Sequence, residues 1–383
     1  MESMTYTRQV LLGLVSAVLS LGLTVVLLEG VLRFLPVTNT GLYAVADPVY
    51  RINRFQPGST VEWSSGWNFA ARTTKPMNNY GYAMDEDFLP HSGPALGIIG
   101  DSFVEALQVG NPEAVHGLLA RAAGGGASVY GVGSSGAQLP TYLAYADFLR
   151  REFGARAMAF VIIANDFDES SCPAATIRGD TWCFDIGTAA VPTLVLKTQP
   201  PRSWLRQVLS HSALLRYLSF NLGVNPLQFF AQAGQSTPAG GYVGNVPRSL
   251  PPDRVAAARA SVDAFFHALP AKSGLPRDRI AFLMDGIRQD IYSGRNEGAG
   301  SFFDEMRRYF MAGARSRGYE AIDLQQAFSA DYARFGQHFE FATDHHWNAL
   351  GHWVAADALA KSRVGQAALG DKVDLTRPQP TGR

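Results

Sequence analysis

From residue 95 onward, short apolar runs alternate with longer segments of helical periodicity. Five runs are predicted as strands, at ALGII (95–99), ASVYGV (127–132), AMAFVIIA (157–164), RIAFLMD (279–285) and YEAIDL (319–324). Helices are predicted between and after them, most clearly at 139–151, 252–269, 299–317 and 348–361. Strands with almost no polar face are typical of a parallel sheet that helices cover on both sides. The pattern therefore predicts an α/β fold, a three-layer, doubly wound parallel sheet of five strands.

The rest of the chain divides around this sheet. Residues 91–362 are predicted as the globular domain, and residues 167–250 interrupt the alternation as an insertion after the third strand. Four apolar positions of the insertion are expected to pack on the domain, namely Leu205, Leu209, Leu214 and Leu218. Residues 37–90 show only brief alternations, which predict an extended region with short strands. The tail at 363–383 is polar and is predicted to be loose.

The N-terminal segment has a pattern of its own. Residues 10–28, VLLGLVSAVLSLGLTVVLL, carry no charge. A helix of about 20 residues, rising ~1.5 Å per residue, spans a bilayer core of about 30 Å. Because no small-residue cleavage motif follows, we predict that residues 1–36 form a short tail and an uncleaved transmembrane signal-anchor. A buried core helix is the alternative, but it would normally show a polar face.

Two cysteines indicate the cellular compartment of the globular domain. Cys172 and Cys183 are the only cysteines among 383 residues, and they lie in one polar segment. Their spacing suits a disulfide, which would contribute about 3 kcal/mol in the chain-entropy model and indicate an oxidising compartment. Two unrelated thiols are the alternative. Together with a weak charge bias from Arg8 and Arg33, this predicts a single-pass membrane protein with a cytoplasmic N-terminus and a periplasmic or otherwise extracytoplasmic domain.

Composition and charge narrow the range of partners. The chain is 47% hydrophobic and 17% charged, and its 33 basic residues balance its 33 acidic ones. Nucleic-acid binding relies on clustered basic side chains that neutralise phosphates, and the sequence has no such cluster. We therefore expect no nucleic-acid partner, and membrane association only through the N-terminal helix.

Polar residues follow the predicted strands where open α/β sheets place their catalytic side chains. Ser102 follows the first strand, Gly136 the second and Asn165 the third. Asp344 and His346 lie between the last strand and the last helix. Ligands of such sheets bind outside the carboxyl ends of the strands. We therefore expect these five residues to converge.

These residue types are the parts of an acyl-transfer site. A serine hydroxyl becomes nucleophilic when a histidine accepts its proton, and a carboxylate fixes the tautomer of that histidine. Ser102 would attack, His346 would be the general base, and Asp344 would orient it. The backbone N–H groups of Ser102 and Gly136 and the side-chain amide of Asn165 would form the oxyanion hole. This chemistry requires no metal and no cofactor.

Each of these residues also has a structural interpretation. Ser102 could be the N-cap of a helix, Gly136 could serve a tight turn alone, and Asn165 with Asp166 could cap the insertion. His345 competes with His346 for the role of general base. A metal site built on Asp344 and the two histidines is disfavoured, because adjacent histidines point apart and no further ligand has a suitable spacing.

In the order of its motifs the chain resembles the SGNH/GDSL hydrolase superfamily, whose sequence blocks carry Ser, Gly, Asn and His. Block one corresponds to GDSFVE with Ser102 as nucleophile, and block two to GVGSSGAQ with Gly136 as oxyanion donor. Block three corresponds to IAND with Asn165, without the usual glycine. The last block is commonly Asp-x-x-His, whereas here it is Asp344-x-His346 followed by tryptophan.

The shorter Asp-x-His-Trp motif resembles that of membrane-anchored or periplasmic members related to polysaccharide O-acetyltransferases, as does MNNYGYAMDEDF (77–88). The resemblance implies a flavodoxin-like SGNH fold and a membrane-anchored serine esterase. Such an enzyme would hydrolyse an O-acyl ester, above all O-acetyl, on a carbohydrate or small molecule through an acyl-enzyme. An O-acetyltransferase of an extracytoplasmic polysaccharide is the alternative that uses the same residues. A non-catalytic polysaccharide-binding or assembly protein is the alternative from another class.

Overall fold

The computed structural model describes residues 2–124, 127–187, 191–200, 203–224, 241–342, 344–371 and 373–378. Its strands are β1 (Ala44–Ala46), β2 (Asn53–Phe55), β3 (Thr60–Ser65), β4 (Ala71–Pro76), β5 (Leu96–Gly100), β6 (Val129–Gly133), β7 (Met158–Ile162), β8 (Asp180–Asp185), β9 (Thr193–Thr198), β10 (Tyr242–Val243), β11 (Val246–Pro247), β12 (Ile280–Met284), β13 (Glu320–Asp323), β14 (Glu340–Phe341) and β15 (Asp344–Trp347). Its helices are α1 (Glu2–Leu32), α2 (Thr40–Tyr43), α3 (Ser102–Glu105), α4 (Val115–Ala122), α5 (Leu139–Phe148), α6 (Ala164–Asp168), α7 (Trp204–Ser210), α8 (Ala213–Arg216), α9 (Pro252–Ser273), α10 (Arg288–Ser293), α11 (Phe302–Ser316), α12 (Leu324–Phe335), α13 (Ala349–Ala360) and α14 (Arg363–Leu369).

Five parallel strands form the central sheet, in the order β13-β12-β7-β5-β6. The chain enters at β5, moves to one edge with β6, and then crosses to the other side for β7, β12 and β13, which makes the sheet doubly wound. Every residue of β5, β6, β7 and β12 is buried. The predicted fold class is confirmed, since each of the five predicted runs overlaps one strand of this sheet.

Alternate strand residues face two separate apolar cores, one on each side of the sheet. Phe160 and Phe282 belong to the core that includes α5, α9 and α11, whereas Val161 and Leu283 belong to the core that includes α4, α12 and α13. Aromatic rings fill the first core, as where Phe265 meets Phe282 edge to face with 6.0 Å between centroids. Helices on both faces explain why the strands carry no polar side.

The chain forms two compact units. The larger comprises residues 43–60, 74–200 and 236–383 and contains the central sheet; the smaller comprises residues 1–42, 61–73 and 201–235. In the smaller unit, the carboxylate of Glu29 accepts a hydrogen bond from the backbone N–H of Ala213, 184 positions later in the sequence. This long-range contact explains why the units differ from the predicted boundaries, which separate the N-terminal helix from the insertion.

The N-terminal helix fits the predicted span in length and composition. Within the described residues, one helix contains a stretch that is long and apolar enough to cross a membrane, the 25 residues Arg8–Leu32 of α1. None of the most apolar part of this stretch is buried inside the protein.

The described part of residues 167–250, the predicted insertion, contains small elements and no strand of the central sheet. β8 and β9 form an antiparallel hairpin, and a disulfide joins Cys183 in β8 to Cys172. The helices α7 and α8 follow, and then the short pair β10 and β11. The packing expected of the insertion leucines is wrong for two of the four, because Leu205 and Leu209 are exposed on α7, while Leu214 and Leu218 are half-buried.

The prediction of a loose tail is wrong for its first part. Residues 363–369 form α14, and Ser362 caps this helix by accepting the N–H of Gly365. The carboxylate of Glu320 also accepts the N–H groups of Arg363 and Val364. A serine cap was readable in the sequence, but the second anchor comes from a distant strand and was not.

Candidate active site

Ser102 lies where the buried strand β5 meets α3. Gly100 ends the strand, and a Cβ at that position would collide with Val104, so glycine is required for the turn to close. The N-cap of α3 is Asp101, whose Oδ1 accepts the N–H of Phe103 at 2.9 Å. Interpreting Ser102 as the N-cap is therefore wrong. The serine is the first residue of the helix, and its hydroxyl is not used for capping.

His346 meets the serine from β15, a strand outside the central sheet. Its Nε2 lies 2.8 Å from the Oγ of Ser102, although the two residues are 244 positions apart. Its Nδ1 contacts Oδ1 of Asp344, which also accepts the backbone N–H of His346 at 2.9 Å. A carboxylate at Nδ1 holds the ring proton there, which leaves Nε2 free to accept the serine proton.

The two-residue spacing of Asp344 and His346 has a simple geometric cause. In a strand, residues i and i+2 project from the same face, so Asp344 and His346 meet while His345 points away. His345 is exposed, and its backbone carbonyl accepts a hydrogen bond from Arg288 at 2.8 Å. Burial raises the pKa of Asp344, but the hydrogen bonds and charge of His346 outweigh it and hold that pKa below its usual value. Asp344 is therefore a carboxylate.

A buried ion pair supports the strand that carries the histidine. Arg288 donates from Nη1 to both oxygens of Asp285, at 2.9 and 2.8 Å. Oδ1 of Asp285 also accepts the indole N–H of Trp347 at 3.2 Å. With the bond from Arg288 to the carbonyl of His345, this pair fixes the residues on both sides of His346.

The proposed oxyanion donors lie beyond the strands on either side of β5. Gly100 is in register with Gly133 of β6, so Ser102 and the loop with Gly136 leave the sheet at the same level. Gly136 has a φ of +82°, the left-handed region that favours glycine. On the other side β7 leads into α6, where Asn165 is half-buried and its Oδ1 accepts a hydrogen bond from Asn245. That bond leaves the Nδ2 of Asn165 as the group able to donate to a substrate.

Several ionisable side chains around this site are buried, and no sequence pattern indicates their burial. Burial raises the pKa of Asp101 to about 6. Lys75 is also fully buried, and burial lowers its pKa to about 7. Glu105, at the end of α3, is buried beside it. Lys75 lies in TTKPMNNY, which shows no periodicity, so only the folded chain could reveal it.

Within the described residues, no group of three or more His, Cys, Asp or Glu side chains is placed to hold a metal ion. The ring of His346 is instead engaged at both nitrogens, by Ser102 and Asp344. The site thus consists of a serine, a histidine and a carboxylate at the carboxyl edge of a doubly wound parallel sheet. The histidine is hydrogen-bonded to the serine through one ring nitrogen and to the carboxylate through the other.

No protein-family model matches the sequence, and no curated protein matches it closely enough to count as a relative. Among solved structures, the chain is similar to a member of the lipolytic protein G-D-S-L family from Veillonella parvula, with 9% identity, a TM-score of 0.36, and coverage of 70% of this chain and 96% of that chain. It is also similar to LAE5, an alpha/beta hydrolase enzyme from the metagenome of Lake Arreo, with 17% identity, a TM-score of 0.38, and coverage of 73% and 96%.

Proposed function

We propose that the protein is a membrane-anchored serine esterase of the SGNH type. It hydrolyses an O-acyl ester, most simply O-acetyl, on a carbohydrate or small molecule through an acyl-enzyme. The observation that carries the proposal is the 2.8 Å approach of His346 Nε2 to Ser102 Oγ, with Asp344 at the other ring nitrogen. A histidine held only for structure would not need both nitrogens aligned between a hydroxyl and a carboxylate.

The reaction proceeds in two halves. Ser102 Oγ bonds to the ester carbonyl carbon while His346 Nε2 takes the hydroxyl proton, and the negative carbonyl oxygen accepts hydrogen bonds from Ser102 N–H, Gly136 N–H and the Asn165 amide. The intermediate collapses, the carbon–alkoxy bond breaks, and the leaving alcohol takes the proton from His346. Water then attacks the acyl-serine with His346 as base, which releases the carboxylic acid and restores the Ser102 hydroxyl.

The location of the reaction is part of the proposal. The stretch Arg8–Leu32 is suited to anchor the chain in a membrane, and the disulfide between Cys172 and Cys183 suits an oxidising compartment. Both features favour a cytoplasmic N-terminus with the esterase unit in the periplasm or outside the cell.

Transfer of the acyl group to a sugar hydroxyl is the second candidate. It needs the same serine, base and oxyanion hole, with a sugar in place of water in the second half-reaction. The feature that favours it is the Asp344-x-His346-Trp347 sequence, which resembles members related to polysaccharide O-acetyltransferases.

A fluorophosphonate probe tests the proposed chemistry before any substrate is known. We expect the folded protein to be labelled on the peptide that contains Ser102, because only an activated serine attacks the phosphorus. Protein unfolded by heat is the control and is expected to stay unlabelled. Absence of label on the folded protein, or label on another peptide, would contradict the proposed nucleophile and favour a non-catalytic binding or assembly role.

A further inference from the structure

The helix α7 is amphipathic, yet its apolar side faces solvent. Its apolar positions follow helical spacing and therefore share one side, whereas Arg206, Gln207 and Ser210 occupy the other; the apolar residues are Trp204, Leu205, Val208 and Leu209. Trp204 is 75% exposed, Leu205 50% and Val208 61%. None of the residues of α7 is buried, although the helix has a regular N-terminus with Ser203 as its N-cap.

The position of α7 relates this face to the membrane anchor. The carboxylate of Glu29, in the last turn of the apolar stretch of α1, accepts hydrogen bonds from Ser212 Oγ at 2.8 Å and from the N–H of Leu214 at 2.9 Å. These groups form the start of α8, and only His211 and Ser212 separate it from α7. A helix of this length extends for about 10 Å. The whole of α7 therefore lies near the end of the apolar stretch.

Other apolar side chains in the smaller unit are also exposed. Phe34 and Leu35 follow α1 directly, and Trp67 and Phe220 belong to the same unit. Among the described residues, most of the exposed large apolar side chains outside α1 are found in this unit, which is the smaller part of the chain. Exposed apolar surface of this kind marks a site of contact with another phase or molecule.

We propose that α7 lies in the headgroup region of the membrane that α1 spans, with Trp204, Leu205, Val208 and Leu209 inserted between the lipids. The inference rests on the proposed membrane anchoring. A lipid surface suits this face better than a protein partner because α7 lies near the end of the apolar stretch of α1, which Glu29 joins to the start of α8. Tryptophan is enriched at membrane interfaces. Residues 203–212 contain an arginine and no acidic residue, which suits anionic headgroups.

The test uses the full-length protein reconstituted in liposomes of phosphatidylcholine and phosphatidylglycerol. Because Cys172 and Cys183 are paired, a single added cysteine can carry an environment-sensitive NBD label. Val208→Cys reports the apolar side of α7, Gln207→Cys its polar side, and Leu19→Cys the middle of α1. We expect Val208→Cys to show blue-shifted emission and at least about twofold stronger quenching by shallow doxyl lipids than Gln207→Cys, because its label lies among acyl chains.

The three labels separate the possible failures. If Leu19→Cys is not quenched by deep doxyl lipids, the membrane anchoring is wrong and the position of α7 with it. If Leu19→Cys is quenched but Val208→Cys emits as in water, α7 does not enter the membrane and this inference alone is overturned. Blue-shifted Val208→Cys emission without quenching by any doxyl lipid would mean that protein covers the face, which also overturns it.

A second inference concerns Glu105, the last residue of the helix that begins with Ser102. Its buried carboxylate accepts the N–H of Ser135 at 3.1 Å and also the Ser135 hydroxyl. Ser135 directly precedes Gly136. The four-residue helix α3 therefore carries the nucleophile at its start and holds the loop of a proposed oxyanion donor at its end.

Lys75 supports this arrangement from β4. Its buried ammonium donates to the carbonyl of Ala106 at 2.6 Å, at a residue with a φ of +51°. Burial raises the pKa of Glu105 to about 7, opposed by the bonds from Ser135 and the charge of Lys75. The bonds from Ser135 and the charge of Lys75 thus both favour the ionised form of Glu105, which is the better acceptor for the loop.

We infer that Glu105 is a positioning residue that sets the place of the Gly136 N–H relative to Ser102. This rests on the proposed function, which ester turnover by the wild-type enzyme tests separately. For Glu105→Ala we expect kcat to fall at least about tenfold with KM within about twofold, because the oxyanion forms after substrate binding. Glu105→Gln, whose amide oxygen can still accept the Ser135 N–H, is expected to recover part of the loss.

Glu113→Gln is the matched control, since Glu113 also accepts a backbone N–H, from Gly110 at 3.0 Å, but is exposed. It is expected to leave both kinetic constants unchanged. A raised KM with unchanged kcat in Glu105→Ala, or equal losses in the alanine and glutamine variants, would overturn the positioning role. If Glu105→Ala does not fold, Glu105→Gln and Ser135→Ala test the positioning role in its place. A wild-type kcat in both variants would overturn that role.

Discussion

Replacing Ser102 with alanine is expected to lower ester turnover by about ten-thousandfold or more, because the covalent route is lost with the nucleophile. The thermal unfolding midpoint is expected to stay within about 2 °C of wild type. Loss of an N-cap would cost about 1 kcal/mol, but the cap of α3 is Asp101, and Ser102 contributes no capping bond. Initial rates with 4-nitrophenyl acetate and a thermal melt of the same preparation measure both quantities.

Ser316→Ala provides the control for this substitution, because Ser316 is an exposed serine at the end of α11, a helix that carries none of the site residues. It is expected to match wild type in rate and in unfolding midpoint. Turnover by Ser102→Ala within tenfold of wild type would mean that another group attacks the ester. In that case the contact between Ser102 and His346 would have to be structural.

The central sheet could be predicted because its strands are buried on both faces. A run such as AMAFVIIA has no polar side, and such a run fits only between two layers of helices. The placement of Ser102, Gly136 and Asn165 beyond the ends of three neighbouring parallel strands also follows from topology. These inferences need only local pattern and the rule that parallel strands end at one edge.

The strand that carries His346 could not be predicted in the same way. TDHHWNALGH has no apolar alternation, and among the described strands β15 pairs with the two-residue β14 alone. Its shape depends on distant groups, above all the bonds that Arg288 and Asp285 make to His345 and Trp347. In a helix or an irregular loop, the shortened Asp-x-His spacing would not be expected to bring the two side chains together. In a strand, Asp344 and His346 project from the same face and meet.

The smaller unit shows a second limit of local patterns. Glu29 reads as the polar end of an apolar run, and nothing nearby in the sequence indicates its partners at the start of α8. The apolar spacing of α7 was readable, but its burial was predicted wrongly because periodicity identifies an apolar face without identifying what covers it. The apolar face of a helix is usually covered by the core of a globular domain. For a helix beside a membrane anchor, lipid can cover that face instead.

His346→Ala is expected to reduce ester turnover as far as Ser102→Ala does, whereas His345→Ala is expected to stay within about fivefold of wild type. The reason is the register of β15. His346 places Nε2 at 2.8 Å from the serine hydroxyl, while the exposed His345 contributes only its backbone carbonyl, which alanine retains. When residues act together as one catalytic unit, removing any one of them abolishes nearly all of the rate enhancement that the unit provides. The double variant Ser102→Ala/His346→Ala should therefore be no slower than either single variant. The reverse ranking of the two histidines would show that the strand is shifted by one residue, which would turn Asp344 away from the base and require a different acid to orient it.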